Sequence, residues 1–219
     1  MAVAIEPHKI VYAALPKAAC SSVKAALATL DPNVDISLDA VVADNSYIHT
    51  VYKTLKFRPI RWAQFGDGWY RFTVVRDPLK RLLSVYTDRV QGRQELKNSR
   101  RLKKQSVLSV DPDPDFFFQN LQAYMASVSV IHHHAVGART YIGDDIKANY
   151  DRVYKVSELP ELAEKLSDIS GQTVTIPKAN SSKVSLEFES LNSKTQDHLK
   201  EYLAQEYTFL GDCFDSPFT

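Results

Sequence analysis

Two short apolar runs, each cut off by a turn and followed at once by a helix start, constrain this chain more than any other feature. Lys9 to Leu15 (KIVYAAL) is β-branched and apolar and stops at Pro16, which reads as a buried strand ending in a turn. Ser21 to Leu30 then opens on hydroxyls and continues in strong helix formers. Tyr70 to Val75 (YRFTVV) repeats the arrangement: Arg76 follows the strand, Asp77 reads as an N-cap, and Pro78 takes the first helical position. Leu79, Leu82, Leu83, Tyr86 and Val90 supply the buried stripe of that second helix. Strands alternating with helices predict an α/β fold, with a central, mostly parallel sheet flanked by helices. In such sheets ligands bind beyond the carboxyl ends of the strands, so both junctions point to one site.

The remaining pattern is weaker. Ile48, Val51, Tyr52 and Leu55 fall at helical spacing between Tyr47 and Phe57, until Pro59 ends the run. Asp115 to Met125 reads as helix, His132 to His134 interrupt it, and Arg152 to Val156 reads as a third strand. Glu158 to Ile169 and Ser193 to Tyr207 are helical, with Gly171 and Gly211 as stop signals. The length of 219 residues suits a single domain, residues 1–219, carrying a basic, mobile or solvent-facing insertion around 92–114.

Charge narrows the partners. Lys and Arg total 27 against 26 Asp and Glu, a formal net charge of +1, which argues against nucleic acid or a membrane as partner. Any anion site is therefore local. The N-terminus lacks the basic leader and apolar stretch of a signal peptide, and there is no run of about eighteen apolar residues, so the chain reads as soluble. Cys20 and Cys213 form no disulfide framework and fit a reducing compartment.

At the first junction, Pro16-Lys17-Ala18-Ala19-Cys20-Ser21-Ser22 opens a helix, where backbone N–H groups and the helix dipole suit a phosphate or sulfate. Lys17 adds a cation, and Ser21 and Ser22 add hydroxyls. The loop has none of the glycines that wrap a triphosphate in G-x-x-x-x-G-K-[ST], which removes the main sequence support for a nucleoside triphosphate and its Mg²⁺. At the second junction Arg76 ends the strand, and Ser84 lies two helical turns in, on the side away from Leu82, Leu83 and Tyr86. An arginine fork and a hydroxyl suit an anion, although Arg76 paired with a carboxylate and a solvated Ser84 read equally well.

Taken together, PKAACSS and RDPLKRLLSVY resemble the two signatures of the sulfotransferases that use 3'-phosphoadenosine 5'-phosphosulfate (PAPS), especially their carbohydrate branch. The resemblance is strong at these motifs and weak over the rest, with VYKVSEL and PKANSSKVSLEF as further similar stretches. It implies a P-loop-like three-layer sandwich. It implies that Pro16 to Ser22 hold the 5'-phosphosulfate, that Arg76 and Ser84 hold the 3'-phosphate, and that Lys183, in a loop over the nucleotide, touches a phosphate. Sulfuryl transfer to a hydroxyl, on a carbohydrate or glycoconjugate, would release adenosine 3',5'-bisphosphate without a metal, with Lys17 steadying the leaving oxygen.

A base is needed for the attacking hydroxyl. The resemblance places a histidine between the second signature and the third strand, where His132-His133-His134 stand without the expected Arg-Pro-Gln. His134 ranks first and His133 second, a zinc site being disfavoured because no cysteine lies near. His49, beside Tyr52, reads as structural, and a glutamate base of the wider superfamily has no evident position. The basic run Arg93, Arg100, Arg101, Lys103 and Lys104 reads as a solvated face, or as an attractor of an anionic acceptor. The rival reading is a P-loop kinase for a small hydroxyl substrate, and a third is a non-catalytic anion-binding relative. The resemblance fits a bacterial, cytoplasmic member, or a Golgi-lumen protein if an N-terminal anchor has been removed.

Overall fold

The computed structural model describes residues 2–44, 46–104, 107–178 and 185–218. It divides into two compact units, Met1–Arg76 with Ala138–Ser181, and Asp77–Gly137 with Ser182–Thr219.

The first unit holds a four-stranded sheet in the order β1 (Val3–Ile5), β2 (Ile10–Ala13), β3 (Tyr70–Val75), β4 (Arg152–Lys155). β2, β3 and β4 run parallel, with Ala13 opposite Thr73 and Val75 opposite Lys155. β1 is an antiparallel edge strand that the sequence reading did not anticipate, because three residues are too few to show alternation. The alternation of strands and helices thus yields the expected α/β fold with a mostly parallel sheet. Ile10, Tyr12, Phe72, Val74 and Tyr154 line one face of the sheet and pack with Val23, Ala26 and Leu27 of helix α1 (Cys20–Ala28). Leu162 and Leu166 of the Leu159–Ser170 helix join the same core. That helix ends at Gly171, whose left-handed φ of 69° is the stop its glycine suggested.

The second unit packs helices around an apolar centre. The Pro78–Val85 helix starts as its sequence predicts: Asp77 accepts a hydrogen bond from the Lys80 amide at 2.8 Å, and Pro78 stands in the first turn. The helix continues as a π-helical turn, Tyr86–Gly92. Residues 115–125, read as one helix, form two, Pro114–Gln119 and Leu121–Ser127, with Asn120 between them. The three histidines do not break a helix but belong to one, Ser129–Ala135, in which Ile131 and Ala135 face the core. In the insertion, Leu96, Leu102 and Leu108 are buried in this core, while Arg100, Arg101, Lys103 and Lys104 are exposed.

Arg81 is the most heavily committed polar group of this unit. Only 1% exposed, it donates to the carbonyls of His134 and Val136 at 3.1 Å each and to Glu206 at 3.3 Å. A buried guanidinium that loses its carboxylate stays charged, at a cost of about 3–5 kcal/mol. Glu206→Ala is therefore expected to lower stability by about that amount in urea denaturation followed by circular dichroism. A loss near zero would mean that Arg81 is satisfied by the two carbonyls alone.

Candidate functional site

The anion loop leaves the carboxyl end of β2. Its backbone is unusual: Lys17 and Ala19 both hold left-handed conformations, φ 66° and 55°, without being glycine. Such conformations carry strain of order 1–3 kcal/mol and cluster where a loop is shaped for a ligand, and alternating handedness turns successive amides into a concave anion nest. Ala19 caps α1 without any side-chain bond. Thr73, next along the sheet, donates to the Ala13 carbonyl at 2.8 Å and ties the strand ends together. Arg76, three residues on, donates from Nη1 to the Lys17 carbonyl at 3.3 Å. The structure thus brings Lys17 and Arg76 to one place, as the pairing of the two junctions requires.

The first turn of α1 carries a second constellation. Ser21 and Ser22 are nearly buried, and Lys24 is fully buried. Ser21 Oγ lies 2.9 Å from His49 Nε2, and Lys24 Nζ lies 3.2 Å from His49 Nδ1 and 2.6 Å from Thr54 Oγ1. Both ring nitrogens of His49 are thus engaged by residues of one helix face, three positions apart. His49 is carried by the Ser46–Val51 helix, which ends well before Phe57. That helix is pinned by Ile48, buried against Ala25, Ala28 and Val41, and by Tyr52, whose hydroxyl donates to Asp31 at 2.7 Å. Burial pushes the Lys24 ammonium below the ordinary lysine value, with Cys20 acting the other way. The folded protein therefore holds fewer protons here than the unfolded chain, so this group's contribution to stability rises with pH across the window between the two values.

A cradle of strained backbone, two cations and serines at a helix start is chemistry for a phosphate or sulfate ester. The profile of the sulfotransferase family matches residues 2–210. The chain belongs to the sulfotransferase family. No curated protein and no solved structure matches it. As a sulfotransferase, the protein moves a sulfuryl group. Backbone nest, Lys17, Arg76 and the two serines are groups of a kind able to hold an anionic ester, and none of them demands a metal. Among the described residues no group of three or more His, Cys, Asp or Glu is placed to hold a metal ion. Among them, too, no helix is long and apolar enough to cross a membrane.

The other residues singled out from the sequence lie elsewhere. Ser84, in the second unit, is not on a solvated helix side: it is buried, and its hydroxyl donates to the Arg81 carbonyl at 2.6 Å. The helix carrying it is buried on nearly every side, Arg81 included, with Lys80 exposed, so a polar side of this helix is not a solvated one. His133 and His134, also in the second unit, are half-buried with their rings 4.8 Å apart. His134 Nδ1 lies 2.8 Å from the Val130 carbonyl; a carbonyl only accepts, so Nδ1 carries a proton and, in the neutral ring, Nε2 is the unprotonated nitrogen. Lys183 lies outside the described residues. Of the basic run, Arg93 pairs with Asp88 at 3.2 Å. The sequence alone reads His49 as structural and gives Lys24 no role, and the structure sets both beside Ser21. The available signal was Lys24 itself, a charge set in an alanine-rich helix at i+3 from Ser21.

Proposed function

We propose that this sulfotransferase takes its sulfuryl group from PAPS and passes it to a hydroxyl of a carbohydrate, with His49 as the base. The observation that carries the reading is the chain Ser21–His49–Lys24 at the opening of the helix that follows the anion loop. Ser21's own hydroxyl lies there 2.9 Å from His49 Nε2, and an acceptor hydroxyl that takes its place would be within the reach a general base needs.

When bound, PAPS supplies an activated sulfuryl group on a good leaving group. The residues do the rest. The Pro16 to Ser22 loop and Arg76 hold the anionic groups, and His49 Nε2 accepts the proton of the attacking hydroxyl. Lys17 places a positive charge where the leaving oxygen develops negative charge, and a preorganised charge there lowers the barrier. A proton acceptor of this kind contributes about 10²–10⁴-fold. His134, with Nε2 unprotonated by virtue of its bond to Val130, is the second reading for the base.

Two measurements test the donor and the acceptor. Calorimetric titration is expected to show binding of adenosine 3',5'-bisphosphate without metal, and binding of ATP–Mg²⁺ alone would favour the kinase reading instead. Transfer of labelled sulfate from PAPS to a panel of glycans, phenols, lipids and peptides should then favour glycans. Binding without transfer to any acceptor would mark a non-catalytic relative. Within the site, Lys17→Ala is expected to reduce kcat by a larger factor than it raises the bisphosphate Kd, because the charge matters most when the leaving oxygen forms. Equal losses in both would make Lys17 a ground-state binding residue.

A further inference from the structure

Lys24 is buried, yet its surroundings are not those of a structural ion pair. The groups that face it are Cys20 of its own helix, His49 of the Ser46–Val51 helix, and Thr54 beyond that helix. No carboxylate among the described residues bonds to it. A buried ammonium without a counter-ion is costly, and the usual outcome is loss of the proton.

The hydrogen-bond geometry distinguishes the two forms of Lys24. As an ammonium, Nζ has donors only, so His49 Nδ1 must be the bare nitrogen and Nε2 must carry the proton toward Ser21. In that tautomer His49 is unable to accept a proton at Nε2. As an amine, Nζ donates to Thr54 Oγ1 at 2.6 Å, and its lone pair is left to take the Nδ1–H of His49. Nε2 is then bare and faces a hydroxyl at 2.9 Å. One proton on Lys24 thus decides whether His49 is a donor or an acceptor at the end that matters.

We propose that Lys24 is a positioning residue: as an amine it accepts the Nδ1–H of His49 and holds the ring in the tautomer whose Nε2 takes the proton. This rests on the reading of His49 as the base. It fills the place a carboxylate occupies in Ser-His-Asp arrangements, where the third group fixes the imidazole tautomer. During transfer the O–H bond of the acceptor breaks and its proton moves to Nε2, while the new O–S bond forms as the S–O bond to the 5'-phosphate breaks, its electron pair leaving with the bisphosphate oxygen. The resulting imidazolium keeps its Nδ1–H on the Lys24 nitrogen. A neutral lysine, unlike a carboxylate, adds no negative charge beside the anion loop, so donor binding is not opposed.

Nitrogen-15 spectra of the histidine rings read the tautomer directly, with the His49 signals assigned by their loss in His49→Gln. At the pH of maximal turnover His49 is expected to carry its proton on Nδ1, and a proton on Nε2 there overturns the proposal without any variant having to fold. Lys24→Met, which offers no acceptor, is expected to lower kcat by about 10–100-fold, a fraction of the base's full contribution, with bisphosphate affinity unchanged. Lys24→Gln, whose amide oxygen accepts from Nδ1–H and whose NH₂ donates to Thr54, is expected to restore most of that loss. Its acid limb should also move to lower pH, since the protonation of Lys24 that would turn the ring over in the parent protein no longer occurs. Equal losses in the Met and Gln variants with an unmoved pH profile would make Lys24 merely structural. If His49→Gln retains full turnover, the base reading itself fails. If that variant is inactive while Lys24→Met is fully active, only the role given to Lys24 fails.

Discussion

Arg76→Ala is expected to weaken binding of adenosine 3',5'-bisphosphate by about 10–100-fold, measured by calorimetry in the absence of metal. The estimate follows from one or two charged hydrogen bonds at about 1.5–3 kcal/mol each, discounted because Arg76 is partly exposed. A second route to the same loss runs through the loop, since the guanidinium also donates to the Lys17 carbonyl, where the backbone is held at a φ of 66°. Arg76→Lys separates the two. It keeps a charge near the anion but gives up the planar fork, so an intermediate loss indicates charge plus shape, and a loss equal to that of alanine indicates the fork alone. Raised salt should narrow the gap between the variants, because part of the attraction is screened. Affinity unchanged in Arg76→Ala would remove Arg76 from the donor site.

The parts of this protein that were legible in its sequence are those where one local rule decides. KIVYAAL and YRFTVV are buried strands with no competing period, and the parallel pairing follows from the helices between them. Asp77-Pro78 is a helix start that tertiary context had no reason to override. Gly171 stands where a left-handed residue was needed. The misreadings have physical causes as well. The sequence reads His132 to His134 as a break because histidine is an indifferent helix former, yet Ile131 and Ala135 supply the buried side that keeps the segment helical. Ser84 lies on the side of its helix that carries Lys80 and Arg81, yet it is buried, because a hydroxyl bonded to the carbonyl three residues back needs no solvent. The anion loop was legible in residue type but not in shape: left-handed alanine and lysine leave no mark in a sequence, and glycine, which would have, is missing from it.

His49, which the sequence neighbourhood reads as structural, has its partners 28 and 25 positions away. Its substitution is also expected to have the largest effect. His49→Gln should reduce kcat by about 10²–10⁴-fold, the contribution typical of a positioned base, while bisphosphate affinity stays within about twofold. Glutamine keeps a hydrogen bond to Ser21 and roughly fills the space, so α1 and the anion loop should hold their shape. The split between rate and affinity is what identifies a base: a purely structural histidine would disturb Ser21 and the loop together, and nucleotide binding would fall with turnover. Rate measurements across pH add a second criterion, since the parent's acid limb requires a group that titrates and the glutamine variant has none at that position. A residual rate in His49→Gln that still falls along an unchanged acid limb would transfer the role to another histidine. His134, whose Nε2 is bare by virtue of the Nδ1 bond to Val130, is then the residue to substitute.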